Sequence, residues 1–213
     1  VITIDPPALE PIPDGPFAGL TCHGYKSILA DPPWKFATRS DKGRDRSPDQ
    51  HYDTMELEEI EALPVELLAS RDCFLFLWVC NPFPPSVGER IMRAWGFRYS
   101  GVAFTWVKSN PRGRGYHRGL GYGTRQNTER CLLGRRGSPV RLSARVDELI
   151  FWPRMEHSRK PPVARTRITK FCAGPHVELF ARESGSAEWT GWGNEARKFD
   201  VLDTRASCTS ESP

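Results

Sequence analysis

The 213 residues carry 30 Lys and Arg against 26 Asp and Glu, and the longest apolar run, Cys73 to Cys80, is eight residues, far short of the ~20 that a membrane-spanning helix needs. The length fits one domain, residues 1–213, with a real core, and no charged-then-apolar leader opens the chain, so neither a membrane protein nor a secreted one is expected. The six cysteines, Cys22, Cys73, Cys80, Cys131, Cys172 and Cys208, form no CxxC pair and several sit in apolar runs, which predicts reduced core thiols in a cytoplasmic protein and no metal site.

Residues 1–17 are proline-rich and read as an extended N-terminal arm. Residues 25–30 form the first strand, ended by Asp31-Pro32-Pro33-Trp34. Two prolines cannot continue a ladder, so the chain turns out of the sheet and leaves Asp31 at the strand's carboxyl end, where open α/β sheets keep their ligand crevice. The polar stretch 37–51, with Arg39, Lys42, Arg44 and Arg46, is a loop expected to close over substrate near Trp34. Asp53 and Glu56 make a capping-box-like pair before a helix with Leu57, Ile60 and Leu63 on its apolar face, and Pro64 starts a further helical turn through Leu68.

Phe74 to Val79 is unbroken apolar sequence, the pattern of a strand buried on both faces. Val87 to Trp95 reads as helix stopped by Gly96, and Val102 to Val107 as strand. The alternation predicts a mostly parallel, doubly wound α/β sheet. Arg130–Leu133 and Glu148–Phe151 read as short strands around a basic turn with Arg135, Arg136 and Arg141. His157–Pro161 is a polar loop, Pro162–Cys172 a helix closed by Gly174, Val177–Ala181 the last strand, and 199–213 a polar, frayed tail.

Charge is segregated along the chain. Residues 108–170 carry 16 Lys and Arg against 4 acids, whereas the flanks are acidic, 10 against 15 in residues 1–107 and 4 against 7 in residues 171–213. A middle third this basic points to a polyanionic partner. From Lys108 to Arg125 there are five Lys and Arg, five glycines and no acid, with Tyr116, His117 and Tyr122 interleaved. Such a loop can follow a phosphate backbone while its rings offer stacking surface, which makes Lys108, Arg112, Arg114, Arg118 and Arg125 candidate nucleic-acid contacts.

The tetrapeptide suits one chemical task. The lone pair of a nucleobase amine is delocalised into the ring, and two acceptors gripping its two N–H bonds free it for attack. Asp31 supplies a carboxylate, Pro32 a carbonyl with no accompanying N–H, and Pro33 and Trp34 shape a pocket in which the indole stacks on a flipped-out base. By itself the tetrapeptide also fits a plain strand-ending loop with a half-buried indole.

Asp-Pro-Pro-Trp after an apolar strand resembles the signature of the N6-adenine methyltransferases related to the catalytic subunit of the eukaryotic mRNA m6A writer. Further blocks match in the family's order across residues 25–196: His51-Tyr52-Asp53-Thr54-Met55, Leu75-Phe76-Leu77-Trp78-Val79, Trp95-Gly96-Phe97, Thr105-Trp106-Val107-Lys108, Asn127-Thr128-Glu129-Arg130-Cys131-Leu132-Leu133, His157-Ser158-Arg159-Lys160-Pro161, Glu178-Leu179-Phe180-Ala181-Arg182 and Trp192-Gly193-Asn194-Glu195. The compact spacing is most similar to bacterial and phage members. The resemblance implies a Rossmann-like S-adenosylmethionine-dependent methyltransferase fold with permuted motif order, and a cytoplasmic location in a bacterial or phage-infected cell. It implies cofactor contacts from Asp31, Pro33, Lys160, Leu179, Phe180, Arg182, Asn194 and Glu195, with Lys160 toward the methionine carboxylate. Tyr52 and Glu129 match positions lining the target-nucleotide pocket. An acidic residue upstream of the first strand contacts the cofactor's adenine in the family, and loose alignment there nominates Asp14.

His157 is expected to orient its loop, and His23 and His176 have no neighbours suggesting acid–base or metal work. Gly113-Arg114-Gly115 lacks the third glycine of a dinucleotide fingerprint, which argues against NAD. The implied reaction is N6 methylation of adenine in DNA. The same reaction on RNA adenosine stays open, since the two differ by one 2′-hydroxyl. A non-catalytic nucleic-acid-binding partner is the third reading. With little sequence left for a separate recognition domain, a short target, relaxed specificity, a homodimer or a partner chain is expected.

Overall fold

The structure, a computed structural model, describes residues 10–35, 54–111, 115–119, 123–156, 159–183, 185–196 and 198. In chain order the elements are β1 (Tyr25–Ala30), α1 (Leu57–Glu61), a 3-10 turn (Val65–Leu67), β2 (Ala69–Val79), α2 (Pro85–Ala94), β3 (Arg98–Ser109), β4 (Thr128–Arg136), β5 (Leu149–Pro153), α3 (Val163–Phe171), β6 (His176–Leu179) and β7 (Trp189–Trp192). The seven strands form one sheet in the order β5-β3-β4-β2-β1-β6-β7.

β2 explains the layering. Its side chains alternate across the sheet: Cys73, Leu75, Leu77 and Val79 enter one core with Ile28 and Ala30 of β1, Ile60 of α1 and Ile91 of α2. Phe74, Phe76 and Trp78 enter the other with Leu29, Phe104, Trp106 and, from α3, Ala164 and Ile168. Both faces of the central strand are therefore dry, as the unbroken apolar run requires. Each such side chain, fully withdrawn from water, stabilises the fold by roughly 1.5–3 kcal/mol. Trp95, 0% exposed, closes α2 by donating its indole N–H to the Ile60 carbonyl at 2.9 Å, and Gly96 at φ +79° turns the chain back toward β3.

Four pairings are parallel, β1 with β2 and β6, β3 with β5, and β6 with β7. β4 is antiparallel to both β2 and β3, so two of the six pairings depart from the mostly parallel course expected. The described residues of the glycine-rich link between β3 and β4 hold no crossover helix, as fits the antiparallel pairing of these two strands.

Other boundaries shift too. The α1 cap is Glu56, whose N–H donates to the Glu59 carboxylate at 2.7 Å; Asp53 of the expected Asp53–Glu56 pair lies outside the described residues. The described part of the proline-rich arm is folded, not extended: Ile12 N–H meets Leu20 O at 2.8 Å, Cys22 N–H meets Glu10 O at 2.8 Å, and Ile12 and Phe17 are buried. β7 was not anticipated, because Trp189-Thr190-Gly191-Trp192 is too short and mixed to show a strand period. The closing loop expected over 37–51 and the polar tail from 199 lie outside the described residues.

β1 has β2 on one side and β6 on the other, both running its way. The carboxyl end of β1 is thus the switch point at which a crevice opens.

Candidate active site

Asp31 follows Ala30, which is paired with Leu77 of β2 and Leu179 of β6. Beyond it the tetrapeptide is tied down by main chain: Trp34 N–H donates to Pro32 O at 2.8 Å, Met55 N–H to Pro33 O at 2.8 Å, and Lys35 N–H to Met55 O at 3.1 Å. The Pro32 carbonyl keeps a second lone pair, since one carbonyl oxygen accepts two hydrogen bonds. Trp34 is 4% exposed, donates its indole N–H to Trp78 O at 3.2 Å and packs on Phe83 at 5.6 Å between ring centroids. That arrangement makes it a fixed wall, not the open stacking platform expected from the sequence.

Four charged side chains from separate elements meet at this end of the sheet. Lys160, from the loop before α3, donates to Asp31 Oδ2 at 2.6 Å and lies 3.4 Å from Glu129 Oε2 at the start of β4. Lys108, at the end of β3, binds the other Glu129 oxygen. Both ammonium groups stand over indoles, Lys160 at 5.7 Å from the Trp78 ring and Lys108 at 5.0 Å from Trp106. The buried indole N–H of Trp78 meets no acceptor among the described residues. Burial raises the proton affinity of Asp31, and Lys160 offsets this only in part. Burial pushes Glu129 the same way, but Lys160 and Lys108 together outweigh it and hold its carboxyl below the usual range.

One side of Asp31 faces a cleft of roughly 990 Å³, counting its open mouth, lined by Asp31, Pro33, Met55, Phe180, Ala181, Arg182, Trp192, Gly193, Asn194 and Glu195. The ends of β6 and β7 build its far wall. Phe180 sits at φ +59°, an uncommon value for a non-glycine residue, and Gly193 at φ +150° packs so close that a Cβ there would lie 2.9 Å from Phe180 Cα. Arg182 pairs with Glu195 at 3.3 Å. Trp192 donates its indole N–H to Pro16 O at 2.8 Å and meets Phe17 edge-on, so residues 16–17 brace the rim.

A second cleft adjoins through Asp31, Phe180 and Arg182, and adds Arg159, Lys160, Arg165, Glu178 and Glu183. Arg159 pairs with Glu183 at 2.6 Å, and Arg165 with Glu178 and, at 3.6 Å, with Glu183. Burial raises the proton affinity of Glu178, while Arg165 holds it down. The sequence reading missed Trp78, Arg159, Arg165, Glu178 and Glu183 as site residues; family blocks contain Trp78, Arg159 and Glu178 without a role, and none of the five has a local pattern that announces one.

Of the residues expected to hold cofactor, Asp31, Pro33, Phe180, Arg182, Asn194 and Glu195 share the first cleft and Lys160 lines the second. Leu179 does neither, being 0% exposed in the core beneath. Asp14 is on an exposed turn and lines neither cleft. On the substrate side Lys108 is held by Glu129, so it belongs to the floor of the site and not to the outer basic loop. Arg118 and Arg125 are exposed, while Tyr52, Arg112, Arg114 and His157 lie outside the described residues.

His117 approaches Arg154 at 3.4 Å on the rim. His23 bonds Ala69 O at 3.1 Å, and His176 is buried against Ser27 Oγ at 2.6 Å and stacked on Trp189. Burial raises the thiol pKa of Cys73, Cys80 and Cys131, and that of Cys172 to about 11, so these are protonated thiols. Among the described residues no helix is long and apolar enough to cross a membrane, and no group of three or more His, Cys, Asp and Glu gathers as for a metal.

Comparison with known proteins meets the same segments. The MT-A70 family model matches residues 25–195. The chain is 33% identical over 204 residues to the type II methyltransferase M.MunI of Mycoplasma sp., a match covering 85% of this chain and 82% of that one. It is 30% identical over 195 residues to the human N(6)-adenine-specific methyltransferase METTL4, covering 84% of this chain but 39% of METTL4. To the Drosophila melanogaster N(6)-adenosine-methyltransferase MT-A70-like protein it is 28% identical over 192 residues, 88% of this chain and 29% of the relative. The matched region runs from β1, through Asp31 and the lysine-bridged carboxylates, to the turn after β7 that closes the cleft, and the chain therefore belongs to the MT-A70 family of methyltransferases.

Proposed function

We propose that this protein transfers a methyl group from S-adenosylmethionine to the N6 amine of adenine in DNA. The observation that carries the reading is the position of Asp31: a largely buried carboxylate, 15% exposed, at the switch point of the sheet, on the wall shared by two clefts. The 33% match to a type II methyltransferase over most of both chains favours DNA among the nucleic acids.

The cleft residues suit the cofactor chemically. Asn194 and Glu195 offer an amide and a carboxylate to ribose hydroxyls and a purine edge, and Gly193 leaves the backbone bare where a Cβ would crowd. Arg159, Lys160, Arg165 and Arg182 in the adjoining cleft suit an amino-acid carboxylate, and Glu178 and Glu183 its ammonium. S-adenosylmethionine supplies an electrophilic methyl on a positively charged sulfur.

The chain's own contribution is to prepare the attacking nitrogen. Asp31 accepts one amine N–H and the Pro32 carbonyl the other, through the lone pair left by Trp34 N–H. Both acceptors are preorganised, the carbonyl by a turn locked at Pro33 and Met55, so little is reordered as charge develops. The nitrogen lone pair takes the methyl as the methyl–sulfur bond breaks and its electron pair stays on sulfur, and the proton then surplus on nitrogen passes to Asp31 or to water. Trp34 and Phe83 wall the purine, and Arg118 and Arg125 follow the flanking phosphates.

Incubation with labelled donor and matched DNA and RNA oligonucleotides, followed by mass spectrometry of the nucleosides, tests this directly. N6-methyldeoxyadenosine in the DNA is expected; methylated RNA alone would move the substrate to adenosine. Asp31→Ala is expected to abolish transfer while leaving most nucleic-acid affinity. Absence of S-adenosylmethionine binding in calorimetry would instead favour a non-catalytic partner.

A further inference from the structure

The ammonium of Lys160 is shared between two carboxylates that face it from different strands. It donates to Asp31 Oδ2 at 2.6 Å, stands 3.4 Å from Glu129 Oε2, and is only 14% exposed. Glu129 is itself anchored from behind, its other oxygen held by Lys108, which rests over Trp106. An ammonium has three donors and can change acceptors by a small rotation of its stem. Closing the gap to Glu129 to hydrogen-bond length asks for roughly half an ångström.

A carboxylate bonded to a lysine is a weaker acceptor for an incoming amine. The function proposed above, on which this inference rests, needs Asp31 free to grip adenine, and Lys160 is on it. We propose that Lys160 caps Asp31 until target adenine enters, and that Glu129 is the receiving carboxylate to which Lys160 then shifts. Glu129 on this account is a positioning residue acting through Lys160, in place of the substrate-pocket role that the sequence resemblance implied. Lys108 fixes Glu129 so that the handover is short. The arrangement makes discrimination of the 6-amino group depend on a residue that never touches it.

Equilibrium binding reads this without catalysis or cofactor. The full chain is titrated at pH 8 with two oligonucleotides, one carrying adenine at the target position and the other purine, which lacks only the 6-amino group. Wild type is expected to prefer adenine about tenfold, the loss of one charge-assisted hydrogen bond. Glu129→Gln leaves Lys160 on Asp31 and brings the preference close to one. Glu129→Asp retains part of it, and Glu129→Gln combined with Lys160→Met restores it because the cap is gone. Lys160→Met alone, which keeps the test open should Glu129→Gln fold poorly, gives a preference at least equal to wild type.

A preference that survives in Glu129→Gln, or that the double variant fails to restore, overturns the handover. Those results in a chain whose wild type methylates adenine leave the proposed function standing. A wild type that neither methylates nor distinguishes the two oligonucleotides overturns that function and the handover with it.

Discussion

Asp31 at the end of β1 and Glu129 at the start of β4 are both largely buried carboxylates facing the same lysine, yet their proton affinities move in opposite directions. Burial pushes both up. Glu129 answers it with two ammonium groups in contact, whereas Asp31 touches one and feels Arg182 only at a distance. The main chain sharpens the contrast. Asp31 precedes two prolines, which have no N–H, so the backbone donors that commonly hold a loop aspartate ionised are missing at the next two positions. The number of cations within reach, and not depth of burial, decides which carboxylate is a strong acceptor and which is a settled anchor.

The largest effect should come from Asp31→Asn. It replaces the charged carboxylate by a neutral amide with a single, weaker acceptor oxygen and is expected to lower kcat by about a thousandfold, the scale seen when a preorganised electrostatic partner is lost. The same variant should melt no lower than wild type near neutral pH. A group whose folded pKa is raised contributes stability below its unfolded pKa and loses that contribution as pH rises through the folded value, so the ionised Asp31 is a local cost that asparagine relieves. Thermal melts beside turnover assays check both halves; a large fall in Tm would mean that Asp31 holds the fold as well as the substrate.

Breaking the pair from the other side separates the carboxylates next. Glu129 has a depressed pKa, so its stabilisation is present above its unfolded pKa and lost as pH falls through the folded one. Lys108→Met removes one of its two cations while Lys160 still faces the carboxylate, and should cost about 1.5 kcal/mol at pH 7, the scale of one hydrogen bond to a charged group. The deficit should shrink as pH falls below the carboxylate range. Urea titrations at both ends of that range test it, and a deficit independent of pH would point to packing against Trp106 instead.

Lys160→Met acts mainly on the pH profile. The charged groups bearing on Asp31 are Lys160, Glu129 and Arg182, with Glu178 also within range. Losing Lys160 lets burial act with less opposition, so the acid limb of kcat/KM should move to higher pH. An unmoved limb would show that another group titrates there.

The smallest effects belong outside this comparison. Arg118 and Arg125 are exposed, so each change to alanine should weaken nucleic-acid binding only a few fold, similarly for target and non-target sequences, and reduce the salt slope by about one. A sequence-selective loss would assign one of them to base contact.

Local rules made part of the molecule readable in one dimension. An unbroken apolar run means a strand with two dry faces, and Phe74 to Val79 is that strand; a strand meeting two prolines must end, and Asp31 stands at that end. The order of family blocks was likewise legible, because each block is contiguous. Two things were not. The antiparallel course of β4 depends on which partners a strand finds across the sheet, and β7 is held by its neighbour β6 more than by its own pattern. The sharing of Lys160 joins a strand end, a strand start and a loop through partners 129 residues apart in the case of Asp31. Charge interactions act through space and are weighted by the water each group has lost, so only the packed chain could decide which lysine would meet which acid, and with what consequence for the proton.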